Sequence, residues 1–228
     1  MCNTASYNTP QYKVDDFQTM ASKNNKRQRK TKQWAQRHIN DPFVKKATGQ
    51  GYRSRAVFKL EEIDQQDKLI KPEMLIADLG SAPGGWSQYI ARKKVRNKVV
   101  AIDLLKMESI QGVDFVQGDF TEDDFVQQML SYTNNKQFDL VISDMAPNIT
   151  GIRDVDDARY ENILDATLAF CNENLKKGGC LLVKLFEGHA ANRHRKMTKA
   201  MFEKNQVRKP LASRSNSKEL YYLSIKKM

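Results

Sequence analysis

The chain has 228 residues, a net charge of +11 and three cysteines. This length allows one α/β domain with a full core or, at most, two small domains. No apolar run approaches the roughly eighteen residues that a bilayer span requires. No signal peptide opens the sequence either, so we expect no membrane segment.

Cysteine and histidine usage bears on the compartment and on metals. Cys2, Cys171 and Cys180 show neither C-x-x-C spacing nor an even count. This pattern favours a reducing cytoplasm and argues against a disulfide framework or structural zinc. The three histidines are scattered along the chain. We therefore expect a cytoplasmic protein without a metal site.

The positive charge is concentrated near the N-terminus. Between Lys23 and Lys59 there are twelve Lys or Arg residues against one acid, Asp41, whereas the rest of the chain has 26 basic and 26 acidic residues. A local excess of this kind favours a polyanion, because each neutralised phosphate releases counterions. The alternative for Lys23–Lys32 alone is a solvated tail that binds nothing in particular.

Composition predicts where the domain begins. Residues 1–32 are expected to form a disordered basic arm, and residues 33–228 a single domain. Residues 1–22 carry no apolar periodicity, which is typical of disorder. Met20 stands just before the basic run and is an alternative start of translation.

Two helices are predicted before the first strand. Apolar residues from Trp34 to Val44 fit one side of a short helix and turn, with Asp41-Pro42 as a break. Ser54 then predicts an N-cap for a helix with an apolar stripe. Lys59 lies beside that stripe, so its ammonium either faces a cleft or extends over the surface to solvent.

A glycine-rich turn organises the centre of the chain. The apolar run Leu75–Leu79 contains Asp78 and is followed by Gly80, Pro83, Gly84, Gly85 and Trp86. This order predicts a buried parallel strand, a tight turn and a helix that opens at a bound ligand. The spacing is not the G-x-G-x-x-G that seats a pyrophosphate. It favours a nucleoside without a diphosphate, such as S-adenosylmethionine, over a nicotinamide dinucleotide.

Acids close the next two predicted strands. Asp103 ends Lys98–Leu104 about twenty residues after the glycines, where nucleotide-binding α/β units place the acid that accepts ribose hydroxyls. Asp119 follows the strand Gly112–Gln117, and Phe120 stands beside it. We expect Asp119 to accept an adenine amino group and Phe120 to lie against the adenine ring.

Two later strands carry ionisable residues of their own. Asp144 follows the strand Phe138–Ser143, at the strand end where open α/β sheets place their chemistry. Lys184 lies inside the apolar run Cys180–Phe186, where burial is costly. A functional lysine is favoured over a purely structural ion pair with a carboxylate.

The remaining predicted elements complete an α/β sheet of seven strands with helices on both faces. The last two strands form an antiparallel hairpin at one edge, and Glu219 opens the second of them. Thr121 and Asp124 form a capping box at the start of one helix, and Lys176–Gly179 form a stop at the end of another. The predicted helices are Trp86–Lys93, Thr121–Tyr132, Asp157–Leu175 and Ala190–Lys204, and the predicted hairpin strands are Val207–Leu211 and Leu220–Ile225.

Five motifs, in order, resemble the FtsJ/RrmJ family of S-adenosylmethionine-dependent methyltransferases, which act on ribose 2′-hydroxyls of RNA. Five motifs in the right order are far more specific than any one of them. The resemblance covers roughly Lys32 to Met228. The motifs are Gly51–Leu60, Asp78–Ser87, Ser143–Asn148, Lys184–Gly188 and Ser217–Tyr221.

The resemblance implies a Rossmann-like methyltransferase fold, a mostly parallel sheet with one antiparallel strand, and a set of site residues. The implied catalytic residues are Lys59, Asp144, Lys184 and Glu219. S-adenosylmethionine contacts are implied at Gly84, Trp86, Asp103, Asp119 and Asp144, to which the glycine turn and the strand ends add Gly80, Pro83, Gly85 and Phe120. RNA phosphates are expected at Lys30, Lys32, Arg37, Arg53 and Arg55.

The implied reaction is methylation of a uridine ribose in large-subunit ribosomal RNA, in the assembled subunit, by a monomeric enzyme without a metal. Lys184 is the candidate general base, with Asp144 and Glu219 orienting it and the hydroxyl, and Lys59 also holding substrate phosphate. Whether Lys184 removes the proton or only steers the oxygen stays open. The alternative function is a non-catalytic RNA-binding factor in ribosome assembly with the same fold.

Overall fold

A computed structural model of the chain describes residues 40–147, 150–213 and 217–228. These residues form one seven-stranded sheet in the order β3-β2-β1-β4-β5-β7-β6. β1 to β5 pair in parallel, and β7 runs antiparallel to both of its neighbours, β5 and β6. The prediction of a mostly parallel sheet with one antiparallel strand is confirmed. The predicted basic arm, residues 1–32, lies outside the described residues.

The strands and helices follow one another along the chain as alternating units. The strands are β1 Leu75–Leu79, β2 Lys98–Asp103, β3 Val113–Gln117, β4 Phe138–Ser143, β5 Leu175–Phe186, β6 Phe202–Arg208 and β7 Glu219–Lys227. The helices are α1 Pro42–Gly49, α2 Val57–Asp67, α3 Gly85–Arg92, α4 Asp123–Ser131, α5 Arg153–Asn174 and α6 His189–Met201.

The core lies on both faces of the sheet, because successive strand residues point to opposite sides. On one face, Ala77 and Val141 pack with Leu164 of α5 and Met129 of α4. On the other face, the neighbouring residues Ile76, Leu140 and Ile142 pack with α2 and α3. The parallel strands are therefore covered on both sides, as their continuous apolar runs predict.

Several predicted element ends are wrong, each for a local reason. Ser54 does not cap α2, which begins at Val57 after Ala56. Thr121 does not cap α4, because its N–H and hydroxyl donate to Asp119 Oδ1 at 2.9 and 2.8 Å. The residues of the predicted stop at 176–179 lie inside β5. Asp41-Pro42, the predicted break, is where α1 begins, with the Asp41 carboxylate accepting from Phe43 N–H at 2.9 Å.

The last helix and the sixth strand also differ from expectation. The predicted helix Ala190–Lys204 ends at Met201, and Phe202–Arg208 pairs with β7 along its length. The charged residues of this segment suit either an exposed helix or an edge strand, so their pattern is ambiguous. Pairing with β7 decides the outcome, as tertiary context commonly overrides local propensity.

His194 of α6 links the stability of this fold to pH. The side chain is 1% exposed, neither ring nitrogen has a hydrogen-bond partner among the described residues, and its ring lies edge-on to Tyr222. Burial, opposed by Asp165 and aided by Arg195, lowers the pKa of His194 from 6.5 to about 4. The native state thus binds fewer protons than the unfolded state between these values, and stability falls as pH drops below about 6.5.

Replacement of His194 by leucine is expected to remove this pH dependence. The loss of unfolding free energy between pH 7.5 and pH 5 should shrink by about 2 kcal/mol, the cost of holding a histidine neutral 1.5 units below its ordinary pKa. Urea titrations at the two pH values measure the difference. The control is His189→Leu, because His189 is the exposed histidine of the same helix; an equal change in that variant would contradict the assignment.

Candidate functional site

The carboxyl ends of β1 and β4, which are neighbours in the sheet, meet the start of β7 at one edge of the fold. Asp144 directly follows β4, Lys184 lies near the end of β5, and Glu219 begins β7. α2 brings Lys59 to the same place. The four residues predicted as catalytic, which are distant in sequence, therefore come together as two neighbouring ion pairs.

The first ion pair joins Lys184 and Asp144. Lys184 Nζ lies 3.1 Å from Asp144 Oδ1 and also donates a hydrogen bond to the backbone oxygen of Asp144. The hydroxyl of Tyr221 donates to the same Oδ1 at 2.6 Å. Tyr221 is the β7 residue in register with Lys184, so the antiparallel pairing sets both donors against one carboxylate.

Asp144 is held in its ionised form. Burial alone would raise the pKa of its carboxyl group, but the charges of Lys184 and Lys59 and the hydrogen bonds from Tyr221 and Lys184 outweigh it and lower that pKa. Conversely, burial and the nearby charges of Asp144 and Glu219 raise the pKa of Tyr221 well above 10. At neutral pH the tyrosine is therefore a neutral donor to a charged acceptor.

The second ion pair joins Lys59 and Glu219. Lys59 Nζ lies 2.7 Å from Glu219 Oε1, and both residues are 9% exposed. The Lys59 ammonium also lies 5.6 Å from the centre of the Tyr221 ring, within the range of a cation–π contact. Of the two sequence interpretations of Lys59, the one in which the ammonium faces a cleft is therefore correct.

Two adjoining clefts open beside these ion pairs, and Ala56 lines both of them. Lys59 and Glu219 line the first cleft, together with Arg55 and Ser217. We call it the tetrad cleft, because Lys59 and Glu219 are two of the four residues predicted as catalytic. The second, the glycine-turn cleft, is lined by Ser54, Ala56, Asp78, Gly80, Ser81, Ala82, Pro83, Gly85, Trp86 and Asp144. A ligand in one cleft would thus adjoin a ligand in the other.

The glycine turn lets the backbone and its neighbours approach closely. Gly80 has φ +72°, and a Cβ there would lie 2.0 Å from Met145 Cγ. Gly84 has φ +98°, and a Cβ would meet Met107 and Ile110 at 2.7 and 2.8 Å. Both positions therefore need glycine for conformation. Gly80 also needs it for space, because the Met145 side chain occupies the place of a Cβ. Gly80 and Gly85 line the cleft, whereas Gly84 packs against the segment after β2.

Asp78 adds a second acid to the glycine-turn cleft. It is 2% exposed, and the Ser87 hydroxyl lies 2.6 Å from its Oδ2. Burial raises the pKa of Asp78 to about 7. The hydrogen bond from Ser87 lowers this pKa, and the negative charges of Asp144 and Asp103 raise it further. A cation in this cleft would favour the ionised form, so the group of acids suits a positively charged ligand.

Asp103, the last residue of β2, and Asp119, just after β3, lie at neighbouring strand ends. Asp103 accepts backbone N–H groups of Ala82 and Leu105 at 2.8 Å each, and so ties the glycine turn to β2. The ring of Phe120 is partly buried and lies 6.4 Å edge-on from Phe170. Asp119 Oδ1 is occupied by Thr121. None of these three is among the residues that line the glycine-turn cleft.

Two of the three arginines expected at RNA phosphates, Arg53 and Arg55, have partners within the chain. Arg53 donates to the backbone oxygens of Pro83, Glu108 and Ser109 at 3.2, 2.7 and 2.8 Å. Arg55 forms an ion pair with Asp41 and donates to the backbone oxygen of Ala212. Arg53 thus fastens the segment after β2 to the glycine turn. Lys30, Lys32 and Arg37 lie outside the described residues.

Three side chains at the site were not predicted for the roles their contacts indicate. Ser54, predicted as a cap, has a buried hydroxyl without a partner among the described residues and lines the glycine-turn cleft. Tyr221 holds Asp144, and Ser213 donates to Glu219 Oε1 at 2.8 Å. Of the three, only Tyr221 could have been placed at the site from the sequence, because it stands two residues after Glu219 on one strand and therefore faces the same side of the sheet.

A metal-binding cluster and a membrane-spanning helix are both absent from residues 40–147, 150–213 and 217–228. Within them, no cluster of three or more His, Cys, Asp or Glu side chains could hold a metal ion. In the same ranges, none of the helices combines the length and the apolar character that crossing a bilayer requires.

Comparisons with known proteins identify relatives of this chain. It is 49% identical over 203 residues to ribosomal RNA large subunit methyltransferase E of Methylobacillus flagellatus, covering 89% of this chain and 98% of that protein. The protein of the same name from Legionella pneumophila strain Corby is 45% identical over 199 residues, with 87% and 97% covered.

A solved structure and a family model agree with these relatives. The crystal structure of a ribosomal RNA methyltransferase from Plasmodium falciparum superposes with a TM-score of 0.70 at 28% identity, covering 77% of this chain and 98% of the other. The model of the family described as FtsJ-like methyltransferase matches residues 52–227. The chain therefore belongs to the FtsJ-like methyltransferase family.

Proposed function

We propose that the protein transfers a methyl group from S-adenosylmethionine to a ribose 2′-hydroxyl of large-subunit ribosomal RNA. The observation that carries the proposal is the pair of buried ion pairs, Lys184 with Asp144 and Lys59 with Glu219, beside two adjoining clefts. The relatives named ribosomal RNA large subunit methyltransferase E, at 45–49% identity, support the substrate class.

The glycine-turn cleft fits S-adenosylmethionine in the chemistry of its lining. The hydroxyl of Ser54, which has no partner among the described residues, suits a polar group of the amino-acid part, and Asp78 and Asp144 favour a positively charged ligand. The bare backbone at Gly80 lets the Met145 side chain, next to Asp144, pack against the turn. We assign cofactor contacts to Gly80, Pro83, Gly85, Trp86 and Asp144 in the cleft, and to Gly84, Asp103, Asp119 and Phe120 beside it.

The bound cofactor supplies a methyl group on a positively charged sulfur. The residues of this chain must then position the ribose hydroxyl and remove its proton, because an alcohol is a weak nucleophile at neutral pH. We assign proton acceptance to Lys184 Nζ, after loss of its own proton, and orientation of that amine to Asp144, which lies 3.1 Å away. The ribose oxygen would form a bond to the methyl carbon as the bond between that carbon and sulfur breaks, leaving S-adenosylhomocysteine. Its proton would pass to the neutral Lys184 amine, whose own proton has first gone to solvent.

Lys59 and Glu219 hold the substrate side of the site. Both line the tetrad cleft, and we assign the Lys59 ammonium to a substrate oxygen or phosphate. The basic segment from Lys23, including Lys30, Lys32 and Arg37, is proposed to hold RNA phosphates without reading sequence. We propose that Arg53 and Arg55 contact RNA in addition to their contacts within the chain.

The finer parts of the proposal concern the target and the setting. We propose a uridine as the methylated nucleotide, the assembled large subunit as the substrate, and a monomer in the cytoplasm as the active species. Because phosphate contacts carry little sequence information, the choice of nucleotide would then come from RNA shape in the particle.

Transfer of labelled methyl groups tests the function directly. Purified protein with labelled S-adenosylmethionine and unmethylated large ribosomal subunits should yield a labelled 2′-O-methylated nucleoside after digestion. Free ribosomal RNA should be a poorer acceptor than the subunit. Label on a base would assign a different methyl acceptor, and binding of both ligands without transfer would favour the non-catalytic assembly factor.

A further inference from the structure

Glu219 holds two donors on one carboxylate oxygen. Oε1 lies 2.7 Å from Lys59 Nζ and accepts the hydroxyl of Ser213 at 2.8 Å. All three residues are 8–9% exposed. The flexible side chain of Lys59 alone would let the Glu219 carboxylate rotate, whereas the Ser213 hydroxyl, a second donor at a fixed place, restricts that rotation.

The backbone around Ser213 is fastened from several directions. We call Lys209–Ser213 the strap. Ser213 N–H donates to Pro210 O at 2.9 Å, which makes a turn. Leu211 N–H lies 3.0 and 2.9 Å from the two oxygens of Glu62 on α2. Arg55 donates to Ala212 O, so the residue just before Ser213 is held by the segment that leads into α2.

The strap is also tied to the start of β7. Lys209 Nζ donates to the backbone oxygens of Ser217, at 2.6 Å, and of Glu219. Glu219 N–H in turn donates to Ser217 Oγ at 3.1 Å. The backbones that carry the Ser213 hydroxyl and the Glu219 carboxylate are therefore fixed relative to each other and to α2, which carries Lys59.

We propose that Ser213 is a positioning residue for methyl transfer, acting through Glu219 on the ammonium of Lys59. Its hydroxyl fixes Oε1, and Oε1 fixes Lys59 Nζ on the wall of the tetrad cleft. Small misplacements of such groups reduce rates strongly, because the reacting atoms must lie in a narrow range of geometry. This inference rests on the proposed function of the site.

Substitutions at Ser213 test the inference in the methyl-transfer assay. Ser213→Ala is expected to lower kcat about 10- to 100-fold, as removal of a hydrogen bond to a charged group does, while the Kd for S-adenosylhomocysteine stays within about twofold. Ser213→Thr retains the hydroxyl and should recover most of kcat. Ser213→Cys, of similar size but with a weak donor, should fall between alanine and threonine.

The matched control is Ser224→Ala. Ser224 lies on β7 and is fully buried, and its hydroxyl donates a hydrogen bond of 2.7 Å to Asn205 Oδ1. The Ser224→Ala variant should lower the thermal midpoint of unfolding about as much as Ser213→Ala does and should leave kcat unchanged. A merely structural role of Ser213 would lower the midpoint without the graded loss of kcat.

The outcomes separate this inference from the proposed function. Wild-type protein without any transfer would overturn the function itself. Active wild type with an unchanged kcat in folded Ser213→Ala would overturn the role of Ser213 alone. If the alanine variant does not fold, the cysteine variant decides: a normal thermal midpoint with reduced kcat supports the role, and a normal kcat refutes it.

Discussion

Replacing Lys184 by alanine is expected to reduce kcat for methyl transfer at least ~10³-fold, within the range attributed to positioned acid–base groups. The amine lies 3.1 Å from Oδ1 of Asp144, which lines the glycine-turn cleft, and its removal takes away the group to which we assign proton acceptance. Binding of S-adenosylhomocysteine should change little. Single-turnover transfer and calorimetry measure the two quantities.

Two further lysine variants show whether Lys184 acts by accepting a proton or by its positive charge. Lys184→Arg keeps a positive charge that cannot be lost at working pH, so it should be as inactive as alanine. Arginine with near-normal turnover would mean that charge, and not proton acceptance, is what Lys184 supplies. Lys176→Ala removes a half-exposed lysine of the same strand, paired with Asp139, and should retain full activity.

The parallel part of the fold follows from the sequence because its signals are local and agree with one another. β1, β2 and β4 are short apolar runs, each closed by an acid or by glycine, and their bounds match within a residue. The edge strand β6 was predicted too late in the chain, at Val207–Leu211, whereas it spans Phe202–Arg208. Its residues carry no apolar alternation, and only the hydrogen bonds to β7, a long-range property, make it a strand.

Charged residues at strand ends could be foreseen, whereas the partners of long side chains could not. Asp144 and Lys184 meet because neighbouring parallel strands end at the same edge. Arg53 and Arg55 were expected to face RNA, yet they donate to backbone oxygens from distant parts of the chain. Nothing in the order of residues shows where a flexible guanidinium will find its acceptor.

Gly80→Ala is expected to lose cofactor affinity by at least ~10-fold and to lower the unfolding free energy by about 2–4 kcal/mol. Part of this is the cost of a side chain at φ +72°, and part is the overlap of the new Cβ with Met145 Cγ at 2.0 Å. Because Met145 follows Asp144, moving it would displace the carboxylate that Lys184 and Tyr221 hold. Calorimetry with S-adenosylhomocysteine and urea unfolding measure both effects.

Gly112→Ala separates the two contributions. Gly112 has φ +83°, yet a Cβ there would have no heavy atom within 4 Å. This variant therefore carries the backbone cost alone, about 1 kcal/mol, and should bind cofactor normally. Equal losses in the two variants would mean that the left-handed conformation explains Gly80 entirely. A larger loss at Gly80, together with weaker binding, would mean that the turn is glycine because Met145, and with it Asp144, must lie against the bare backbone.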